Sequence, residues 1–166
     1  MIIFKTKLKG VLKIKLKDHK DKRGRYLELF NKKLFKKIGQ KIQFIQDDIS
    51  VSKKNVLRGI HGDYKTWKLV TCLEGRFLLL VVNNKKKDNE YKKYQFFYLS
   101  DKNNIQILIP PGFGNSHYVL SKKTIFYYKQ STFYDRKSQF TIKWYDKEFN
   151  FKWPIKFKPI TTKRDK

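Results

Sequence analysis

Moving a proton near neutral pH calls for a base whose pKa lies close to the working pH, and histidine meets that demand without help. The 166-residue chain has three histidines, and they are not equivalent. His19 sits in a turn of Lys and Asp and reads as a surface residue. His117 ends the segment PPGFGNSH on the threshold of a strand. His61 closes an apolar strand, VLRGI, and the polar turn Gly62-Asp63-Tyr64-Lys65 follows at once. Arg58 and His61 flank Gly59, whose missing side chain lets the backbone bend or another group approach closely. Trp67 and Lys68 open the next apolar strand, KLVTCL. A lysine starting a buried strand needs a partner or a task for its charge. Tyr128 and Tyr134 punctuate YYKQSTFY, and Asp146 sits in KWYDKEF. A lone histidine at a strand end is more often structural than catalytic; company of this kind shifts the balance.

The elements that must position these groups read mostly as strands. Residues 11–17 alternate apolar and Lys, the period of a half-buried strand. Residues 19–25 form a polar turn, and 26–30 return to alternation. The stretch NKKLFKKIG reads as one short helix, with Asn31 as N-cap and Gly39 ending it. Further strands are expected at 42–51, 55–61, 67–73, 76–83, 94–99, 105–109, 117–121 and 124–131. Glu74-Gly75 is a tight hairpin signal, 83–93 is a polar loop, and PPGFGN at 110–115 is another. The Lys-rich tail 157–166 is expected to fray. Closely spaced short strands imply a sandwich or barrel, and no linker or repeat divides the chain, so residues 1–166 are expected to form a single domain.

Composition limits the function classes. Apolar residues make up 40% and aromatic residues 16%, enough for a packed core. The formal net charge is +26, which attracts polyanions in general. That charge is nearly all Lys and is scattered, whereas readers of phosphates and bases rely on the planar fork of Arg. A solvated Lys-rich surface with a favourable field for a diphosphate-bearing substrate is the better reading, and nucleic acid is not the expected partner. Cys72 is the only cysteine, so neither an internal disulfide nor a Cys-based metal cluster can form. The N-terminus lacks the apolar core of a signal peptide, and no stretch approaches the roughly 18 apolar residues of a membrane span. A soluble, cytoplasmic protein is expected.

Several motifs occur together in a recognisable order. The run QDDISVSKKNVLRGIHGDYKTWKLVTCLEG resembles the core signature of the dTDP-4-dehydrorhamnose 3,5-epimerase family, a QDN-type strand followed by LRG-[LI]-H and KLV-x-x-x-x-G. DKRGRYLELF fits that family's D-x-R-G-x-x-x-E-x-F, and the likeness continues through LSDKNNIQILIPPGFGN, LSKKTIFYYKQSTFY and IKWYDKEFNFKWP. The resemblance implies an all-β, cupin-type jelly-roll barrel with one or two short helices, and a homodimer with exchange of the N-terminal strand. It implies epimerisation at C3, C5 or both of a nucleotide-diphosphate 4-keto sugar, in carbohydrate biosynthesis, without metal or organic cofactor. By resemblance His61 is the base, Asp146 its orienting carboxylate, Lys68 the charge beside O4, and Tyr128 the acid. Arg58 and, from across a dimer, Arg23 would bind the diphosphate. Glu28, Gln46, Asp48 and Tyr134 match positions that contact nucleotide or sugar.

The chain also departs from the family's pattern. Asn115 stands where the segment G-F-A-H-G-F has its histidine, and His117, two residues on, either substitutes for it or packs in the core. Asp48 replaces the usual Asn, and Gln139 lies where Glu is common. The loop between His61 and Lys68 is short. These changes fall at positions expected to touch nucleotide and sugar, which points to retained chemistry on a different substrate, such as a GDP-linked 4-keto heptose. Two other readings stand beside this one: a nucleotide-sugar 3,4-ketoisomerase, and a non-enzymatic basic cupin that binds polyanions.

Overall fold

The computed structural model describes residues 1–39, 41–154 and 159–165. The strands are β1 (Ile2–Lys5), β2 (Leu12–Lys15), β3 (Asp18–Asp21), β4 (Gly24–Leu27), β5 (Gln46–Lys53), β6 (Leu57–Gly62), β7 (Lys68–Glu74), β8 (Arg76–Asn83), β9 (Tyr94–Ser100), β10 (Ile105–Ile109), β11 (Phe113–Val119), β12 (Lys123–Gln130) and β13 (Phe140–Thr141). One sheet has the order β1-β2-β10-β7-β12-β5, and the second β13-β6-β11-β8-β9. The only helix longer than a 3-10 turn among the described residues is α1 (Lys32–Lys36).

The two sheets face each other, and their inner sides carry the main core. Val70 and Cys72 of β7, Phe77, Leu79 and Val81 of β8, Ile107 and Ile109 of β10 and Phe126 of β12 meet there. Successive side chains of a strand point to opposite faces. The alternate residues of β8, Leu80 and Val82, therefore turn outward, where Ile142, Phe149 and Phe151 cover them. This explains why β8 reads as a continuous apolar run instead of alternating: both of its faces are buried. The outer face of the first sheet is covered near α1, where Phe35 packs with Ile14, Leu69 and Leu108. Each fully buried Leu or Phe contributes about 1.5–3 kcal/mol by leaving water. Burial also pushes the Cys72 thiol up to about 12, so it stays a protonated core residue.

Several expectations need correction. Glu74-Gly75 does not join a hairpin: β7 pairs with β10 and β12, whereas β8 pairs with β9 and β11. The tight turn at Gly75 (φ 77°) carries the chain from one sheet to the other. The polar stretch expected as a turn at 19–25 is a hairpin, β3 against β4. β11 begins at Phe113, inside the expected PPGFGN loop. Gly114 belongs to that strand because Ile60 and Phe140 press against its backbone, leaving no room for a side chain. Asn31 does cap α1, its Oδ1 accepting from the Lys33 N–H at 3.0 Å. β1 pairs with β2 of the same chain.

The tail expected to fray at 157–166 is packed where it is described. Ile160 bridges Val56, its N–H donates to Asn55 O at 2.9 Å, and the Leu57 N–H donates back to Ile160 O at 3.0 Å. A 3-10 turn over Lys163–Asp165 follows, with Asp165 buried. Residues 157, 158 and 166 of that expectation lie outside the described residues.

One irregularity governs the site. On β11, Asn115 pairs with His61 and His117 with Arg58, so β6 holds one residue more than β11 across this interval. A bulge of this kind changes which side chains share a face. Gly59 sits within it at φ 105°, and a Cβ there would lie 2.6 Å from the Asn115 carbonyl oxygen. Gly59→Ala is therefore expected to cost about 2 kcal/mol or more, read as a lower midpoint in urea denaturation against the parent protein.

Candidate functional site

A cleft of about 440 Å³ opens between the sheets at the end not filled by the core. Its walls follow from strand periodicity. Gln46, Asp48 and Ser50 of β5 face it at every second position, as do Lys68 and Val70 of β7 and Phe126 and Tyr128 of β12. On the opposite wall stand Asn115 and His117 of β11 and, from β6, both Arg58 and His61. Residues three apart on a regular strand would point to opposite faces; the bulge at Gly59 is what brings Arg58 and His61 to the same one. Tyr134, Gln139, Thr162, Arg164 and Asp165 complete the rim.

His61 Nε2 lies 2.7 Å from Asp165 Oδ1, and neither atom has another hydrogen-bond partner among the described residues. Burial alone would raise the Asp165 carboxyl, but His61, the Thr162 hydroxyl and the Gly59 N–H outweigh it and leave the group below the ordinary carboxylate range. The carboxylate expected on His61 was Asp146. Its Oδ1 instead accepts the N–H groups of Glu148 (2.8 Å) and Phe149 (3.2 Å), capping the turn that delivers Phe149 to the outer cluster. Asp165 takes the place beside the imidazole because the C-terminal segment makes a parallel bridge at Val56, just before β6, and brings the Asp165 carboxylate to the Gly59 N–H.

Lys68 is buried on β7, and its Nζ lies 3.4 Å from Asn115 Oδ1 on the opposite sheet. Burial lowers it to about 8; the Asp63 carboxylate pulls it back up, and the Arg164 guanidinium adds to the lowering. Tyr128 is pushed up to about 12 by burial, then by Asp48 and Tyr134. Asp48 Oδ2 accepts from the side-chain amides of Gln46 and Gln130, each at 2.8 Å. Gln46 Oε1 in turn accepts the Tyr134 N–H at 2.8 Å. Arg164 donates to the Tyr134 hydroxyl (3.2 Å) and to Gln139 Oε1 (2.8 Å). Arg58 Nε donates to Ser52 Oγ at 3.0 Å.

His117 lies flat on Phe126, ring centroids 4.1 Å apart at 12°, and is wholly enclosed. Burial lowers it to about 3, helped by the Arg58 cation and opposed by Asp165, so it is neutral at physiological pH. Its Nε2 has no hydrogen-bond partner among the described residues. His117 is packed in the core, as one of the two descriptions had it, and it also lines the cleft. Arg23 and Glu28 do not line the cleft of this chain. Arg23 is exposed at the tip of the β3–β4 hairpin, paired with Asp21, and Glu28 accepts from the Asn31 side chain at 3.1 Å. Arg164 and Asp165 were missed by sequence reasoning. Their one signal was a single acid in a run of basic residues, TTKRDK.

A family model described as dTDP-4-dehydrorhamnose 3,5-epimerase matches residues 5–166. The dTDP-4-dehydrorhamnose 3,5-epimerase of Shigella flexneri is 36% identical over 99% of this chain and 93% of its own length. A Legionella pneumophila structure, a dTDP-6-deoxy-D-glucose-3,5-epimerase in complex with dTDP-4-keto-L-rhamnose, superposes with a TM-score of 0.94 at 30% identity, covering 99% of this chain and 89% of that one. The dTDP-4-dehydrorhamnose 3,5-epimerase structure from Elizabethkingia anophelis gives 0.91 at 34% identity, covering 99% and 93%. The fold shared with these structures is the cupin jelly roll.

The neutral His117 has a consequence for stability. In the unfolded chain an imidazole takes up its proton near pH 6.5, but in the fold only near 3. Between those values the unfolded state binds more protons, so stability falls as pH drops from 6.5 toward 3, by a few kcal/mol in all. His117→Phe, which keeps the stack on Phe126, is expected to flatten this acid limb in urea melts taken from pH 7 to 4.

Proposed function

The chain belongs to the dTDP-4-dehydrorhamnose 3,5-epimerase family, and from that membership we propose that it inverts C3, C5 or both of a nucleotide-diphosphate 4-keto sugar, with His61 as base and Tyr128 as acid. One observation supports this most: the His61–Asp165 pair and Tyr128 line a single cleft from opposite sheets. Inversion needs a proton removed from one face of a carbon and another delivered to the opposite face. A base and an acid on facing walls meet that demand.

The chemistry begins with the ketone at C4, which acidifies the neighbouring C–H bonds because the electron pair left behind moves onto oxygen as an enolate. Asp165 engages His61 Nε2, which leaves Nδ1 to take the proton, and the carboxylate stabilises the imidazolium that results. Lys68 supplies positive charge to O4 in a site shielded from water, where such charge acts strongly. The enolate then collapses to the ketone as its carbon takes the Tyr128 proton from the other face. A phenol held near 12 keeps its proton until a strongly basic carbon appears. Exchange with water resets both groups. The substrate carries its own electron sink, so the scheme needs no metal or organic cofactor.

Arg58 and Arg164, with Asn115 and His117, are assigned to the diphosphate and nucleotide side, and Gln46, Tyr134 and Gln139 to the rim of the pocket. A homodimer is part of the proposal. β5 is an edge strand that turns Ile49 and Val51 outward, 62% and 54% exposed, and the β3–β4 hairpin projects Arg23 with 84% of its side chain in water. A second copy on this face would cover the apolar pair and bring its Arg23 and Glu28 toward the cleft. The relatives' names carry dTDP, the first candidate for the nucleotide. A GDP-linked 4-keto heptose is the second, carried by the departures at Asp48, Asn115, His117 and Gln139.

Proton NMR in heavy water with 4-keto nucleotide sugars tests the reaction. Deuterium is expected at C3, C5 or both while the ketone stays at C4; migration of the carbonyl would indicate a ketoisomerase. His61→Ala and Asp165→Asn are expected to reduce exchange by about 10²-fold or more. Tyr128→Phe should impair inversion more than exchange, since the base can still remove and return a proton on one face. Robust exchange in His61→Ala would remove that residue as the base. Calorimetric titration with dTDP and GDP tests the nucleotide: preference for dTDP retains the first candidate, and preference for GDP replaces it with the second.

A further inference from the structure

Among the described residues, Ile160 is the last in the C-terminal segment whose backbone bonds to another element. Between it and Asp165, one side chain forms hydrogen bonds that leave the segment. Arg164 donates through Nη1 to the Tyr134 hydroxyl at 3.2 Å and through Nη2 to Gln139 Oε1 at 2.8 Å. The Thr162 hydroxyl stays inside the segment, donating to Asp165 Oδ2 at 3.1 Å. Gln139 is itself well placed. It follows the 3-10 turn Arg136–Ser138, which Asp135 caps, and its N–H donates to Arg136 O at 3.4 Å. It immediately precedes β13, where Thr141 pairs with His61. The contacts close a ring: β13 lies on His61, Gln139 leads into β13, Arg164 holds Gln139, and Asp165, the next residue, returns to His61. Tyr134 ties the same guanidinium to the facing sheet, because its N–H donates to Gln46 Oε1 on β5.

We propose that Arg164 is a positioning residue, which fastens the C-terminal turn to Gln139 and Tyr134 and so holds the Asp165 carboxylate on His61. A carboxylate carried on a short terminal turn has backbone and side-chain freedom to lose before it can orient an imidazole. Fixing the neighbouring residue removes much of that freedom in advance, and small misplacements of a catalytic pair cost rate steeply. A guanidinium suits the task. Its planar fork presents N–H groups on separate nitrogens, so two acceptors are held at once in a set geometry, which a lysine ammonium does not reproduce. Five N–H donors are available to an arginine, so these two bonds leave others for the diphosphate side. Asp165 follows Arg164 directly, and one peptide unit leaves little slack between the fastened side chain and the carboxylate.

This inference rests on His61 being the base, and its test separates the two claims. Arg164→Ala is expected to lower kcat for deuterium exchange about tenfold in the parent protein, and by less than about twofold in an Asp165→Ala background, where no carboxylate is left to hold. Arg164→Lys, which keeps the charge and loses the fork, is expected to recover only part of the loss. The pairing is also read without turnover, from the downfield proton NMR resonance of the His61–Asp165 hydrogen bond, assigned by its loss in Asp165→Ala. That resonance is expected to broaden or vanish in Arg164→Ala. Should that variant fold poorly, Gln139→Ala combined with Tyr134→Phe removes both acceptors while Arg164 stays, and the same change is expected. Equal kcat losses in the two backgrounds, or a resonance unchanged in both variants, overturns the inference. Absence of exchange with every 4-keto nucleotide sugar would instead remove the proposed reaction, and the resonance alone would then decide whether Arg164 holds the pair.

Discussion

The contact between His61 and Asp165 is the point on which the site turns. A buried carboxylate is costly unless something compensates it, and here an imidazole at 2.7 Å, a threonine hydroxyl and a glycine N–H do so together. The contact depends on two pieces of the fold, the bulge in β6 and the C-terminal segment. The imidazole faces the cleft because β6 carries a bulge. The N–H comes from Gly59 inside that bulge. The carboxylate arrives because the C-terminal segment bridges Val56, just before β6, through Ile160. A change at any of the three would reach the other two.

The second constraint is the separation of the sheets. Proton removal and proton delivery must come from opposite sides of a flat enolate, and a two-layer fold with an unfilled end supplies two walls for that purpose. The filled end, around Phe77 and Phe126, fixes the spacing of the layers. Lys68 reaches across to Asn115 and links the walls at the cleft itself. The same aromatic floor holds His117 flat and neutral, so the ring shapes the cleft without adding charge to it.

Much of this was legible in the sequence, and the failures have physical causes. The strands from β5 to β12 were readable because short apolar runs alternate with turn residues, and α1 because Asn31 and Gly39 bracket it. β5 also carried an unread clue. It turns Asp48 and Ser50 inward and Ile49 and Val51 outward, the reverse of a strand packed on a core, as befits a wall of a polar cleft. The Glu74-Gly75 turn was misread because a tight turn looks the same whether it joins neighbours in one sheet or passes between two. The partner of His61 was missed because the link between Asp165 and β6 is tertiary. Within its own stretch, Asp165 is one acid among basic residues, and the resemblance was carried onto Asp146 instead. Family resemblance supplied the roles of His61, Lys68 and Tyr128; composition alone pointed no further than a basic surface.

The most direct test of the central claim is a crystal structure of the His61→Ala protein with a nucleotide-linked 4-keto sugar bound. The reacting carbon should lie between position 61 and the Tyr128 hydroxyl, with those two groups on opposite faces of the ring and O4 within hydrogen-bond reach of Lys68. A sugar ring seated outside the cleft, or one that presents the same face to both groups, would contradict the account.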